Sequence, residues 1–417
     1  MGDEVVAPVA GIVEPPGVEL GSVVADVDDP PGGVFALDPP DEHAAPTTKR
    51  ATAIEKTRSS RFDTASAPNS FDGLLSLRVS RARRAYGGQS HGQQRRVAAP
   101  SSFGNMRALV TGGAGFIGSH IVDSLLDRGD EVIVLDDLNT GFRQNVDARA
   151  RIVIGSVADH DAVRDAIRGC EVVFHQAAHK AVLRSIENPL ATDTVNTHGT
   201  LTVLHAAVDA GVRRVVHASS SSVYGGAAHL PTPEDEIKLP RSPYAVSKLA
   251  AEHYCRVFTE LHGLETVALR YFNVYGPRQR ADATYAAVIP LFVDALLGGR
   301  APTVHGDGLQ SRDFTYVSDV VEANLAAARG PGATCSGRAY NIAGGASWTL
   351  LDILRTLETL LGVKSRPTFA EARPGDVRHS RADASSAALD LGFQCRVDLE
   401  DGLRRTVEWL RSIPTLA

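Results

Sequence analysis

The stretch Thr111-Gly-Gly-Ala-Gly-Phe-Ile-Gly118 follows the short apolar run Arg107–Val110 and opens an amphipathic segment. Its glycines fit G-x-G-x-x-G when counted from Gly113, and the related G-x-x-G-x-x-G when counted from Gly112. Glycines at this spacing allow a tight turn, let the backbone approach a pyrophosphate and pack a helix closely on a strand. The pattern therefore predicts a strand, a turn and a helix whose N-terminus binds the phosphates of a dinucleotide.

Strands and helices alternate on both sides of this loop, which indicates βαβ units around a parallel sheet. We expect a Rossmann-type doubly wound domain over residues 106–270 and a smaller α/β substrate lobe over 271–417, part of which returns to the first domain. The predicted helices are 116–129, 159–168, 188–210 and 243–262, and the predicted strands are Arg107–Val110, Val132–Leu135, Ile152–Ile154, Val172–His175 and Val215–Ala218.

Asp136 stands at the end of the second predicted strand, 18 residues after Gly118. A carboxylate at this place accepts hydrogen bonds from the adenosine ribose hydroxyls and repels a 2′-phosphate. The spacing therefore predicts NAD rather than NADP as the cofactor.

A second motif is Ser242-Pro-Tyr-Ala-Val-Ser-Lys248. A serine N-cap followed by proline marks the start of a helix, so Tyr244 and Lys248 lie at i and i+4 on one face. A nearby ammonium and an oxidised nicotinamide ring would favour the phenolate, which makes the tyrosine a candidate general base. The polar segment Ala218–Gly225 follows the fifth strand, at the sheet edge where open α/β sheets bind ligands.

Composition excludes several other classes of protein. The chain has 417 residues, 43% hydrophobic and 22% charged, and a net charge of −6, which argues against nucleic-acid binding. It contains no apolar run long enough to span a membrane. Four widely separated cysteines predict reduced thiols, no metal site and a cytoplasmic location.

Residues 1–105 differ from the rest of the chain. They hold 10 of the 22 prolines, and the first 48 residues contain ten acids and no lysine or arginine. Because such a segment buries little apolar surface, we predict that it is disordered. Met106 directly precedes the first strand, so residues 1–105 are alternatively a non-native extension and translation starts at Met106.

The glycine loop, the serine segment and the Tyr-x-x-x-Lys pair, in this order, resemble the extended short-chain dehydrogenase/reductase family. Within it, residues 106 to about 412 are similar to the NAD-dependent sugar-nucleotide epimerases of the UDP-glucose 4-epimerase and UDP-N-acetylglucosamine 4-epimerase group. The resemblance implies catalytic roles for Tyr244, Lys248, Ser220 and Ser222. It implies NAD contacts from Gly112, Gly115, Phe116, Ile117, Gly118, Asp136, Lys180, Asn196, Tyr244 and Lys248. It implies UDP-sugar contacts from Ser220, Ser221, Ser222, Tyr244, Asn273, Arg312, Arg373, Asp376 and Ser380.

The serine segment also bears on the reaction. Related dehydratases and decarboxylases carry an acid before the tyrosine of this segment, where the present chain has Ser221 and Ser222. The resemblance therefore implies 4-epimerisation of a UDP-hexose through a transient 4-keto sugar. UDP-glucuronate 4-epimerisation, decarboxylation or dehydration, and a non-catalytic NAD-binding role are the alternatives. One departure is Ser156, which replaces an aspartate that the family places near adenine.

Two further expectations follow from the resemblance. The position of Ser380 resembles a gate at which a tyrosine excludes N-acetylated sugars, so a serine predicts that UDP-N-acetylglucosamine and UDP-N-acetylgalactosamine fit as well as UDP-glucose and UDP-galactose. The helices 188–210 and 243–262 match the family's dimer interface, which predicts a homodimer. The first of these helices includes the apolar residues Val195, Leu201, Val203, Leu204 and Val208. Burial in the core accounts for some of them, and the interface is expected to account for the rest.

Overall fold

The central feature of the computed structural model is a parallel sheet of seven strands. The structure describes residues 106–280, 286–372 and 377–412, so the prediction made for residues 1–105 lies outside it. The strands, in sheet order, are β3 (Arg151–Ile154), β2 (Glu131–Asp136), β1 (Arg107–Thr111), β4 (Val172–His175), β5 (Arg214–Ser220), β6 (Glu265–Tyr271) and β11 (Arg338–Ile342). Every neighbouring pair is parallel.

Helices cover both faces of the sheet because its strands are apolar on both sides. Residues Ala108 and Val110 of β1 face one apolar cluster, whereas Leu109 faces another. The first cluster includes α1 (Phe116–Asp127) and α8 (Val317–Arg329); the second includes α2 (His160–Ile167), α5 (Gly199–Asp209) and α6 (Pro243–His262). The Rossmann-type doubly wound fold is confirmed.

The predicted helix 188–210 is not regular. It consists of α4 (Pro189–Asp193), a π-helical turn (Thr194–His198) and α5; the short α3 (Val182–Glu187) precedes it. The widened turn contains Asn196, whose side chain bonds outside the helix. The five apolar residues of this helix that were expected to divide between the core and an interface all belong to the core: Val203 and Leu204 are buried, and Val195, Leu201 and Val208 pack against the same cluster.

The C-terminal part of the chain contributes both to the Rossmann sheet with its covering helices and to a separate apolar cluster. Strand β11 and helix α8 belong to the Rossmann sheet and its cover, as do the short helices α9 (Gly332–Cys335) and α11 (Ser385–Leu391). A separate apolar cluster joins α7 (Val288–Leu297), α10 (Leu350–Leu361) and α12 (Leu399–Ser412). Three two-stranded sheets complete this part: β7 (Val274–Tyr275) with β10 (Thr315–Tyr316), β9 (Ser311–Asp313) with β12 (Ser347–Thr349), and β8 (Thr303–His305) with β13 (Thr368–Ala370).

The described residues contain neither a membrane-spanning helix nor a cluster of metal ligands. Among their helices, none combines the length and the apolar composition that spanning a lipid bilayer requires. Their histidine, cysteine and acidic side chains form no group of three or more that is arranged to hold a metal ion.

Candidate active site

The dinucleotide loop depends on glycines whose Cβ-free backbones lie very close together. Gly112 has a φ of +66°, in the left-handed region that favours glycine. A Cβ on Gly118 would lie 2.1 Å from the carbonyl oxygen of Gly112, so helix α1 can approach the loop only with glycine there. The N-cap of α1 is Gly115, which supplies no side chain to its first N–H groups. These features fit the G-x-x-G-x-x-G motif that begins at Gly112, and they suit a bound pyrophosphate.

Phe116 and Ile117 are the first residues of α1 and are half-buried. Their side chains pack against the apolar clusters, so their backbone N–H groups are the candidate donors to a pyrophosphate. At the end of β2, Asp136 accepts hydrogen bonds from the N–H of Ala114 at 2.9 Å and from that of Leu138 at 2.8 Å. Burial raises its pKa, and each carboxylate oxygen keeps acceptor capacity for a ribose hydroxyl.

The candidate catalytic pair lies at the start of α6. The Ser242 hydroxyl accepts a hydrogen bond from the N–H of Ala245, which caps the helix as predicted. Lys248 is buried, and its Nζ donates to the carbonyl oxygen of Ala218 at 2.7 Å. Burial lowers the pKa of Lys248 to about 8. Burial raises the pKa of the Tyr244 phenol, while a hydrogen bond with Ser220 acts in the opposite direction.

The serine segment reaches the same place from β5. The Ser220 hydroxyl accepts hydrogen bonds from the N–H of Ser222 at 3.2 Å and from its hydroxyl at 2.9 Å. Ser221 begins the helical turn Ser221–Tyr224 that follows the strand. The structure therefore joins Ser220 and Ser222 by hydrogen bonds and places the Tyr244 phenol where Ser220 affects its pKa.

A buried ion pair holds this segment on α6. The Arg270 guanidinium donates to both carboxylate oxygens of Glu252, at 2.9 and 2.7 Å, and to the Tyr224 hydroxyl at 2.8 Å. The Ser219 hydroxyl donates to the same carboxylate at 2.5 Å. Sequence reasoning missed Glu252 and gave Arg270 no role, although an arginine after the apolar run Val267–Leu269 signals a buried charge that needs a partner.

Lys180 and Asn196 differ in their surroundings. Lys180 is exposed and has no hydrogen-bond or ion-pair partner in the described part of the chain. The Asn196 side chain is buried, and its amide bonds to the N–H of His179 at 2.8 Å, to the carbonyl of His179 at 3.1 Å and to the Ser247 hydroxyl at 3.0 Å. Asn196 therefore positions the segment before Lys180.

A cavity of about 490 Å³ is lined by residues of the C-terminal part of the chain, and Ser220, Ser222 and Tyr244 are not among them. Asn273 lines it and follows Tyr271, which pairs with Ser220 in the sheet. Arg312 lines it as well, together with the polar residues Arg300, His305 and Gln310 and the apolar residues Val288, Phe292 and Phe314. This volume lies within the range of small-molecule sites, and guanidinium groups suit a diphosphate.

Ser380 lies beside this cavity, because its hydroxyl is 3.4 Å from the Asn273 side-chain nitrogen, which also donates to the Asp313 carbonyl at 2.9 Å. Arg373 and Asp376 lie outside the described residues. Ser156 has its hydroxyl bonded to the N–H of Ala158 at 3.2 Å.

Asp313 is a buried carboxylate that sequence reasoning did not single out. It accepts hydrogen bonds from the N–H groups of Gly345 and Ala382 at 3.1 Å each, so it fixes the segment that carries Ser380. Burial raises the pKa of Asp313 to about 6, although these donors act in the opposite direction. The sequence offered one indication of a role for Asp313, namely that it directly follows Arg312 in a short strand.

The raised pKa predicts how Asp313 contributes to stability. Its folded pKa of about 6 lies above the unfolded value near 4, so folding favours the protonated form. This contribution is fully present below about pH 4 and is lost as the pH rises to about 6. Relative to Asp313→Asn, which cannot ionise, the wild type should lose about 2 kcal/mol in free energy of unfolding between pH 4 and pH 7. Urea unfolding at both pH values measures this difference, and a difference independent of pH would contradict the assignment.

Comparisons with known proteins agree with this arrangement. The family model "NAD dependent epimerase/dehydratase family" matches residues 108–343. A UDP-glucose 4-epimerase of Mycolicibacterium smegmatis is 40% identical over 314 residues, covering 74% of this chain and 99% of that protein.

Solved structures give the same result. A UDP-glucose 4-epimerase of Thermotoga maritima with UDP-glucose is 37% identical, with a TM-score of 0.71, covering 73% of this chain and 99% of that one. The Thermus thermophilus UDP-glucose 4-epimerase complex with NAD is 37% identical, with a TM-score of 0.68, covering 74% and 99%. The relatives also include a dTDP-glucose 4,6-dehydratase at 36% identity and a UDP-glucuronate 4-epimerase at 33%.

The matched residues include the glycine loop, the serine segment and the Tyr244–Lys248 helix. Neighbouring structures hold NAD, and the loop of this chain suits the cofactor. The chain is therefore an NAD-dependent enzyme that belongs to the NAD dependent epimerase/dehydratase family, with the extended short-chain dehydrogenase/reductase fold.

Proposed function

We propose that this enzyme interconverts the C4 epimers of a UDP-hexose, with UDP-glucose and UDP-galactose as substrates. The observation that carries the proposal is the group formed by Tyr244, Ser220 and Ser222. Ser222, like Ser221, supplies a hydroxyl at a position where the resemblance implies an acid in dehydratases and decarboxylases. Without that acid, the site can move a proton at a hydroxyl but lacks a group for elimination. The similarity to UDP-glucose 4-epimerases supports the same reaction.

The proposed chemistry needs few groups from the chain. The glycine loop and Asp136 would hold NAD, which would supply a reversible hydride acceptor for the sugar carbon. Ser220 and Ser222 hold the 4-hydroxyl, and Tyr244 removes its proton and gives one back to the opposite epimer. The Lys248 ammonium favours the phenolate form of Tyr244. Asn273, Arg312, Arg373 and Asp376 hold the UDP part, so the 4-keto sugar can turn about its diphosphate linkage.

One assay separates the candidate reactions. The purified full-length protein is incubated with UDP-galactose and UDP-N-acetylgalactosamine, without added NAD, and the products are separated. A 4-epimer supports the proposal, because the net redox change is zero and the cofactor stays bound. Loss of carbon dioxide or a stable keto sugar would support a decarboxylase or dehydratase, and unchanged substrates would support a non-catalytic NAD-binding role. UDP-glucuronate, added separately, tests the glucuronate epimerase alternative.

Ser380 leads to a prediction about sugar size. Its hydroxyl lies beside Asn273, which lines the cavity, and its side chain is half-buried, so the larger side chain of a tyrosine would extend into these surroundings. We expect Ser380→Tyr to reduce conversion of UDP-N-acetylgalactosamine roughly tenfold or more while conversion of UDP-galactose continues. Ser380→Ala is the matched control and should keep both activities. Equal loss of both substrates in the tyrosine variant would argue against a gate at this position.

We also infer a homodimer in the cytoplasm. Exposed apolar side chains lie on α4 and α6, namely Leu190, Val246, Val257 and Leu261, and these helices match those of the family's dimer interface. Light scattering of the purified protein measures its mass in solution.

The four cysteines are free thiols, which suits the reducing compartment proposed for this protein, the cytoplasm.

A further inference from the structure

A row of buried polar side chains runs from β1 through β4 into α5. Thr111, His175 and Thr200 are each at most 1% exposed. The Thr111 hydroxyl lies 2.7 Å from Nδ1 of His175, and Nε2 of His175 lies 3.0 Å from the Thr200 hydroxyl. No role in substrate or cofactor binding has been given to any of these three residues.

The donors and acceptors along this row allow only one arrangement. The Thr200 hydroxyl donates to the carbonyl of Asn196 at 2.5 Å, so it must accept from Nε2–H of His175. Nδ1 of the neutral ring is then an acceptor and takes its hydrogen bond from the Thr111 hydroxyl, which in turn accepts from the N–H of Ala177 at 3.3 Å. A second proton on His175 would leave the Thr111 hydrogen without an acceptor. Burial lowers the pKa of His175 to about 3, in agreement with a neutral ring.

The row continues into the helix that carries the catalytic pair. The Asn196 side chain donates to the Ser247 hydroxyl at 3.0 Å, and Ser247 donates to the carbonyl of Tyr244 at 2.8 Å. The same Asn196 amide holds both backbone groups of His179, the neighbour of Lys180.

Three segments of the candidate cofactor site are therefore joined by two runs of hydrogen bonds that meet at Asn196, one ending at its backbone carbonyl and the other starting from its side-chain amide. Thr111 begins the glycine loop, Ala177 and His179 belong to the segment before Lys180, and Ser247 lies between Tyr244 and Lys248. We propose that His175 and Thr200 are positioning residues that hold the catalytic helix in register with the dinucleotide loop. The inference about turnover rests on the proposed epimerase activity, whereas the inference about NAD retention does not.

The test uses two threonines on the same helix. Thr200 and Thr202 are both buried, and each donates to the carbonyl four residues earlier, at 2.5 and 3.0 Å. Only Thr200 also bonds to His175. Thr200→Val and Thr202→Val thus remove the same local bond, and only the first interrupts the row.

We expect Thr200→Val in the full-length protein to lose bound NAD faster on dilution than wild type. We also expect its kcat with UDP-galactose to fall roughly tenfold at nearly unchanged KM, because the UDP cavity lies in the other lobe and misplacement affects the reacting groups. Thr200→Ser, which keeps the hydroxyl, should restore both values, and Thr202→Val should resemble wild type.

Equal NAD loss in Thr200→Val and Thr202→Val would overturn the proposal, as would a serine variant that rescues neither value. If wild type itself lacks epimerase activity, the proposed function fails, and the comparison of NAD retention still decides the role of the row. If Thr200→Val does not fold, Thr111→Val interrupts the row at its other end and is measured in the same way against Thr202→Val.

Discussion

Tyr244→Phe should abolish epimerase turnover and leave the protein folded with NAD bound. The change removes the hydroxyl that bonds to Ser220 and keeps the ring that fills the half-buried position on α6. Because the phenol is the group proposed to accept the 4-hydroxyl proton, we expect a loss of roughly a thousandfold in kcat. Conversion of UDP-galactose measures the turnover, and NAD released by denaturation measures the cofactor content.

Tyr254 offers a matched control on the same helix. It is half-buried and packs against the second apolar cluster, away from the serine segment. Tyr254→Phe should keep both activity and bound NAD, so a general effect of removing a phenol from α6 is accounted for. Substantial turnover in Tyr244→Phe would refute the role of the phenol as the base, and loss of NAD in that variant would show that the hydroxyl acts in cofactor binding instead.

The parts of the fold that follow from local patterns could be predicted from the sequence. The glycine loop, the alternation of strands and helices and the Ser242–Pro243 helix start depend on residues that are close in the chain, and the structure has a strand or helix at each of these places. The π-helical turn at Thr194–His198 could not be predicted, because the Asn196 bonds that accompany it reach residues in other elements. Element ends shifted by one or two residues for the same reason.

The buried polar network of the site was the least predictable part. The bond between Glu252 and Arg270 joins α6 to β6, and the row through His175 joins three elements. The sequence shows that a histidine ends an apolar strand. The hydrogen-bond partners that offset the cost of burying its ring come from other elements, and only the fold brings them together. Asp313 is a similar case, since its donors lie about 30 and 70 residues further along the chain.

Gly118→Ala should yield a protein that contains no NAD and is less stable. The added Cβ would lie 2.1 Å from the carbonyl oxygen of Gly112 and 2.9 Å from Cα of Gly113, and both contacts are with backbone atoms that cannot rotate away. Helix α1 must therefore move off the loop, which displaces the N–H groups that face the pyrophosphate. We expect a loss of about 1–3 kcal/mol in the free energy of unfolding. Cofactor content and urea unfolding measure the two effects.

Gly199→Ala is the control for Gly118→Ala, because it also adds a methyl group at a helical glycine but does not touch the dinucleotide loop. Its Cβ would meet side-chain atoms of Val157, the nearest at 2.7 Å, and these can shift because they are not backbone. Alanine is also favoured over glycine in a helix by up to about 1 kcal/mol, which offsets part of that contact. Gly199→Ala should therefore retain NAD. If Gly118→Ala retained NAD as well, the close approach of α1 to the loop would not be what binds the dinucleotide, and the cofactor site would have to depend mainly on Asp136 and the segment before Lys180.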